Sequence, residues 1–270
     1  MDSLRAIDDW GAPFAAAGVV RAGAVAATHG PRGVPVRWAS VTKLLTGLAA
    51  LVAVEEGTVD LDEPAGPPGA TLRHLLAHAS GLPTGAAPGR RRVYSNEGIE
   101  AVAALIEHHA GIPFGEYFAA AVVEPLELHG SLQGSAASEY VGPPDDLLAL
   151  GQELLTPQLV APETLDEATT VQFAGLDGVL PGWGRQEPND WGLAFELRDD
   201  KSPHWTGTRN SPATFGHFGQ SGTFLWVDPE LGAACGVLTT RDFGDWAKEA
   251  WSAFSDSVVA DLRSVGEQRA

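Results

Sequence analysis

The stretch "WASVTKLLTGLAALVAVEEG", Trp38 to Gly57, holds a single charge, Lys43, ahead of its glutamates and is otherwise small or apolar. Val41, Leu44, Leu45, Leu48, Leu51 and Val54 leave no continuous polar face for water. The segment therefore reads as a core helix over residues 40–56, stopped by Gly57. Lys43 and Gly47 punctuate it, and it is too short to span a bilayer. A chain built round such a helix must cover it on every side. An ammonium on it is disfavoured unless it has a use. The chain has three lysines, at 43, 201 and 248, so the position of each is informative.

Ser40 precedes Lys43 by one helical turn, which puts both side chains on one face. A serine nucleophile needs a base for its proton and donors for the oxyanion that forms on its substrate. Burial disfavours the charged form of lysine and leaves a neutral amine able to act as that base. The helix N-terminus at Ser40 favours negative charge nearby. Read alone, Ser-x-x-Lys fits equally a helix-capping serine and a lysine reaching outward.

At 270 residues the chain suffices for one large or two-lobed domain. Residues 3–17 read as a short helix, and "GVVRAGAVAATHG" as two strands and a turn. A Pro/Gly connector, "TVDLDEPAGPPGA", leads to a short helix in "TLRHLLAHASGLP" and a basic, glycine-rich loop, "PGRRRVYSNEG". Helices are expected over 99–110, 114–123, 143–155 and 162–170. Then "GHFGQSGTFLWVDPELGAACGVLTTRD" reads as two strands joined at Asp228, Pro229 and Glu230, with a last helix over 246–262. Strand-and-helix ends around a mostly helical middle predict an α/β (α+β) chain forming one domain over 1–270. Its α/β lobe comes from about residues 1–57 and 205–270, with a helical lobe of about 58–204 inserted.

The balance of 17 Lys+Arg against 35 Asp+Glu gives a formal charge of −18, which repels phosphate backbones and anionic headgroups. Nucleic acid and membrane surfaces are thus not expected as partners. Cys235 is the only cysteine, so no intrachain disulfide and no cysteine-based metal site can form. The opening "MDSLRAIDDW" has neither a basic n-region nor an apolar h-region, and a cytoplasmic location is expected.

Three motifs in order carry a resemblance. "SVTK" spans Ser40 to Lys43; "YSN", Tyr94 to Asn96, uses one of three tyrosines; "HFG" spans His217 to Gly219. With "TLRHLLAHASGLP", "EPLELHG" and "GTFLWVDPELGAACGVLTT" between and after them, the chain resembles the serine β-lactamase and penicillin-recognising enzyme superfamily. The likeness lies with its class C-like branch and the related esterases and DD-peptidases, and runs from about residue 18 to the end. It implies a β-lactamase-like fold, with an antiparallel sheet flanked by helices from both termini and an inserted helical lobe.

It also implies roles. Ser40 would be the acylated nucleophile, and Lys43 its proton acceptor or the group that tunes Tyr94. Tyr94 would pass protons to the leaving group and to the deacylating water. Asn96 would orient the substrate, and His217 would line the opposite wall where many lactamases have lysine. The backbone N–H groups of Ser40 and of Gln220, just after Gly219, would form the oxyanion hole. The implied reaction is acyl-enzyme hydrolysis of a small ester or amide with no metal or cofactor, the partner being a small-molecule ester, amide or lactam. The alternatives are a true β-lactamase or DD-peptidase, and a catalytically silent binding protein of the same fold. His217 in place of lysine weakens the permanent cation for a substrate carboxylate, and Glu97 adds an acid after the second motif.

Other features carry less. His74 and His78 have i, i+4 spacing that suits zinc, but no third ligand is apparent. "GQSGT" at Ser221 lacks the second glycine of a nucleophile elbow, and "ASG" at Ser80 lacks the first. His108 and His109 face different sides of a helix. The run from Arg90 to Arg92 reads as a solvated loop, with recognition of an anion as the alternative. Trp183, Trp191 and Trp205 are candidates for an acyl pocket or for core packing.

Overall fold

Residues 224–227 and 233–238 are small or apolar at every position, and strands of that kind must be covered on both faces. The structure, a computed structural model that describes residues 1–21 and 23–267, does so. Strands β1 (Ala15–Arg21) and β2 (Ala24–His29) form the N-terminal hairpin. Three short strands, β3 (Val36–Arg37), β4 (Ser131–Leu132) and β5 (Tyr140–Gly142), make a small sheet in the order β3-β5-β4. A hairpin of β6 (Gly178–Leu180) and β7 (Gly184–Gln186) stands apart. The last strands are β8 (Glu196–Leu197), β9 (Phe215–Gly219), β10 (Thr223–Asp228) and β11 (Ala233–Thr239). The main sheet has the order β2-β1-β11-β10-β9-β8, antiparallel at every pairing.

Helices are α1 (Thr42–Glu55), α2 (Leu72–Leu76), α3 (Asn96–Ala110), α4 (Phe114–Phe118), α5 (Pro144–Leu155), α6 (Pro162–Ala168) and α7 (Asp245–Glu267). Alternate side chains of the central strands enter two separate cores. Leu225, Val227, Ala234, Leu238 and Val20 join α1 and α5 on one face. Phe224, Trp226, Cys235, Val237 and Val19 join Trp251, Phe254 and Val258 of α7 on the other. The fold is the mixed, antiparallel architecture expected from the sequence.

Helix α1 is buried along nearly its whole length, as its composition requires. Gly47 is its one necessary gap. A Cβ there would sit 2.6 Å from the Cβ of Ala194, so the helix can touch the backbone ahead of β8 only at a glycine.

Three expectations fail. The stretch from Gly216 to Asp242 reads as two strands but holds three, because "GHFG" pairs with β10 as β9. Residues 3–17 are not one helix: a 3-10 helix ends at Trp10, Gly11 turns left-handed (φ 61°), and β1 begins at Ala15. The arginine run is not wholly solvated. Arg90 and Arg91 are exposed, but Arg92 is buried and donates to the carbonyls of Ala77 (2.6 Å), Gln172 (2.6 Å) and Asn189 (3.1 Å). Burial lowers its pKa to about 10, against the pull of Asp190, so it stays charged at neutral pH. One guanidinium thus ties the segment before Tyr94 to three others.

Arg92→Ala leaves those carbonyls without their donor, and should lower unfolding free energy by about 3 kcal/mol. Arg92→Lys should recover only part of it, because an ammonium lacks the planar fork. Urea denaturation of the three proteins measures both.

Candidate active site

A 3-10 turn, Ala39–Val41, feeds directly into α1 and presents Ser40 at its start. Ala39 holds a left-handed backbone (φ 48°), uncommon for a residue with a Cβ. Strand β9 passes close beside this turn. A Cβ on Gly219 would lie 2.6 Å from the Trp38 carbonyl and 3.1 Å from the Ser40 amide nitrogen, so the approach requires glycine. Ser40 and Gln220 consequently line one pocket.

Lys43 is fully buried one turn along α1. Its Nζ lies 2.6 Å from Asn96 Oδ1, 2.9 Å from the Ala137 carbonyl oxygen and 3.4 Å from Ser40 Oγ. Both of the shorter partners are neutral acceptors. Burial lowers its pKa from 10.5 to about 7, and Glu100 opposes this in part. Glu100 also fixes the loop that supplies the Ala137 carbonyl. Its Oε1 accepts from Ser135 Oγ, and from Ala137 N at 3.2 Å.

Ser95 caps α3, accepting from Gly98 N at 2.9 Å, and so places Asn96 at the first position of the helix. His78 Nδ1 accepts from Ser95 N at 3.2 Å, which fixes the turn from the other side. The Tyr94 ring packs on His78 (4.8 Å between centroids), and Lys43 Nζ stands 4.8 Å from the Tyr94 centroid. Burial raises the pKa of the Tyr94 hydroxyl; the Ser40 hydroxyl nearby lowers it by less, with geometry short of a hydrogen bond. Tyr94 therefore rests as a neutral phenol without a partner.

The opposite wall is β9 and the segment ahead of it. His217 Nδ1 lies 2.6 Å from the Phe218 carbonyl oxygen. Burial, and then Lys43, lower its pKa to about 3, so the ring is neutral. Ser40, Tyr94, Trp191, Glu196, His217 and Gln220 surround a pocket of about 90 Å³, closed at the rim by Leu180, Pro181 and Phe218. A wider depression of about 530 Å³ lies around Asp60, Asp62, Glu63, Arg73 and His109. Its charges pair among themselves, Arg73 with Asp62 at 3.0 Å and His109 with Glu63 at 3.1 Å, and none of the Ser40 group lines it.

The structure thus brings all seven expected residues, Ser40, Lys43, Tyr94, Asn96, His217, Gly219 and Gln220, to one place. It adds one pocket residue that the sequence left unmarked, Glu196, with Lys201, His204 and Trp205 packed behind it. Glu196 is buried and accepts from Lys201 Nζ, His204 Nε2 (2.8 Å) and Trp205 Nε1 (2.8 Å). Burial alone would raise its pKa, but His204 and Lys201 hold it down to about 2. The signal available was Lys201 itself, a rare residue just upstream of "HW" in "KSPHW".

The set-aside features fall elsewhere. His74 closes a capping box on α2 with Thr71. Glu97 is exposed, and Trp183 and Trp205 belong to the α7-side core, while Trp191 lines the pocket.

The burial of Lys43 has a thermodynamic signature independent of any reaction. Between pH 7 and 10.5 the unfolded chain binds a proton that the native chain does not, so this residue makes stability rise with pH across that window. Lys43→Met should remove that slope. Urea unfolding at pH 6.5 and 9.5 tests it through the wild-type-minus-variant difference, expected to grow with pH.

The family model described as Beta-lactamase matches residues 5–257. A crystal structure of a β-lactamase from Mycobacterium bovis is 52% identical, with a TM-score of 0.95 over 96% of this chain and 99% of that one. EstCE1, described as a hydrolase with promiscuous acyltransferase activity, shares the fold at 20% identity, with a TM-score of 0.77 over 95% and 96% of the two chains. A D-stereospecific amidohydrolase from Streptomyces does so at 20% identity and a TM-score of 0.69, over 93% and 96%. No curated protein matches the chain. No helix among the described residues is long and apolar enough to cross a membrane. By its family match over nearly its whole length, the chain belongs to the β-lactamase family.

Proposed function

We propose that the protein is a serine hydrolase that cleaves a small ester or amide through an acyl-enzyme on Ser40. The observation that carries this is the hydrogen bonding of Lys43. A neutral amine has two N–H groups and one lone pair. Asn96 Oδ1 and the Ala137 carbonyl engage the two N–H groups, leaving the lone pair for the Ser40 hydroxyl at 3.4 Å. With a pKa of about 7, roughly half of the molecules hold this form at neutral pH.

In this reading Ser40 Oγ attacks the carbonyl carbon as its proton passes to Lys43 Nζ. The backbone amides of Ser40 and Gln220 stabilise the oxyanion. Tyr94, protonated at rest, donates to the leaving oxygen or nitrogen as the tetrahedral species collapses. Its proton is restored from Lys43, and the pair then accepts one from the water that releases the acid. The raised pKa of Tyr94 supports Lys43, rather than a resting phenolate, as the first base.

A second reading is lactam hydrolysis, favoured by the 52% identical structure described as a β-lactamase. Against it stands His217, neutral where a cation would hold a lactam's carboxylate. A panel of short acyl esters, amides and nitrocefin separates the two. Fast lactam turnover without ester cleavage would sink the first. A binding protein that kept the fold would leave Ser40 unlabelled.

A fluorophosphonate should label Ser40 in the wild type and nothing in Ser40→Ala, by mass mapping. Ser40→Ala should abolish turnover, and Lys43→Ala and Tyr94→Phe should each reduce it about a hundredfold or more.

The base must be unprotonated, so kcat/KM should rise with pH through an apparent pKa of about 7. Glu100 raises the Lys43 pKa, so Glu100→Gln should move that limb to lower pH. A pH–rate profile of the two proteins is the check.

A further inference from the structure

The wall of the pocket facing Ser40 offers lone pairs and little to hold an anion. His217 is buried, and its Nδ1 stands 2.6 Å from the Phe218 carbonyl oxygen. A carbonyl only accepts, so the ring proton sits on Nδ1 and Nε2 is a bare acceptor. That nitrogen is buried and has no partner in the protein. An orphaned buried acceptor is costly until a ligand satisfies it. The ring stays neutral far below pH 7, so Nε2 keeps its lone pair through the mildly acidic range.

Glu196 adds a carboxylate to the same wall. The nearby cations are committed. Lys43 faces Ser40, Asn96 and Ala137, while Lys201 is held by Glu196 and by the carbonyls of Asp190 and Leu197. Arg92 is spent on backbone carbonyls. The Trp191 indole N–H and the Tyr94 hydroxyl are unpartnered, but two neutral donors do not offset the desolvation of a full carboxylate.

We propose that this wall takes a hydrogen-bond donor of the substrate, an O–H or N–H group, on His217 Nε2, and turns away substrates that place a carboxylate there. The inference rests on the serine-hydrolase reading, because the bond to Ser40 sets which part of the substrate meets His217. It narrows the substrate class to esters or amides with a hydroxyl, amine or amide N–H near the reacting carbonyl.

Three meta-substituted phenylboronic acids test it, bearing hydroxymethyl, methoxymethyl or carboxylate. Boron accepts a lone pair from Ser40 Oγ, so binding needs no turnover. Calorimetry at pH 7.5 in 0.5 M salt screens the general repulsion of anions by a chain of charge −18. The hydroxymethyl compound should bind about tenfold or more tighter than the carboxylate, with methoxymethyl between. His217→Gln, whose amide both donates and accepts, should compress the spread to about threefold.

Equal or tighter binding of the carboxylate overturns the proposal, as does a hydroxymethyl compound no better than its methyl ether. A preference that survives intact in folded His217→Gln also overturns it. If that variant does not fold, the wild-type order decides. Ser40-dependent binding with the carboxylate favoured removes only the substrate assignment. Absence of boronate binding, or binding unchanged in Ser40→Ala, removes the serine-hydrolase reading along with it.

Discussion

An amine taken out of water must find its hydrogen bonds in the protein, and the site around Ser40 is organised by that requirement. Lys43 sits on a helix that is apolar on all sides, so every partner for its nitrogen has to come from elsewhere in the chain. Asn96 arrives because Ser95 caps α3, and Ala137 because Glu100, one turn after Asn96, holds the 135–137 loop. The small sheet of β3, β5 and β4 anchors that loop to the entry of α1. Remove the buried amine and these segments lose the reason for converging.

The chain buries two lysines and treats them differently. Lys43 meets neutral acceptors, so the desolvation of its charge is answered only weakly and its proton is lightly held. Lys201 meets the Glu196 carboxylate, which opposes the same desolvation with a full countercharge. One arrangement yields an amine that titrates near neutral pH, the other an ion pair behind the pocket. The difference lies chiefly in the acceptors, since both side chains are buried.

Much of this was legible in the residues. The dominant apolarity of α1 and of β10 and β11 gave the core, and the three short motifs gave six of the seven candidate site residues, with Gln220 next to the third. Motifs are readable because they are local. What escaped reading was built from distance in sequence. Arg92 looked like part of a solvated basic run, since nothing in "GRRRVY" says that the carbonyls of Ala77, Gln172 and Asn189 converge on its third arginine. Glu196, Lys201, His204 and Trp205 sit in a polar stretch that resembles a surface loop, and only tertiary packing turns it inward. The first helix was drawn too long because alanines 15–17 suit either state, and pairing with β11 decides for strand.

The pocket has one hard side and one soft side. On the Glu196 side any widening strands a buried ion pair and the indole and imidazole donors attached to it. On the other side Leu180 and Pro181 belong to a two-stranded hairpin outside the main sheet, whose Val179 is more than half exposed. Changes there leave the Glu196 ion pair untouched and are limited instead by the packing of Leu180 in the α7-side core. A lineage of such proteins can therefore shift in the size of group it admits far more readily than in the polarity of the wall that receives it.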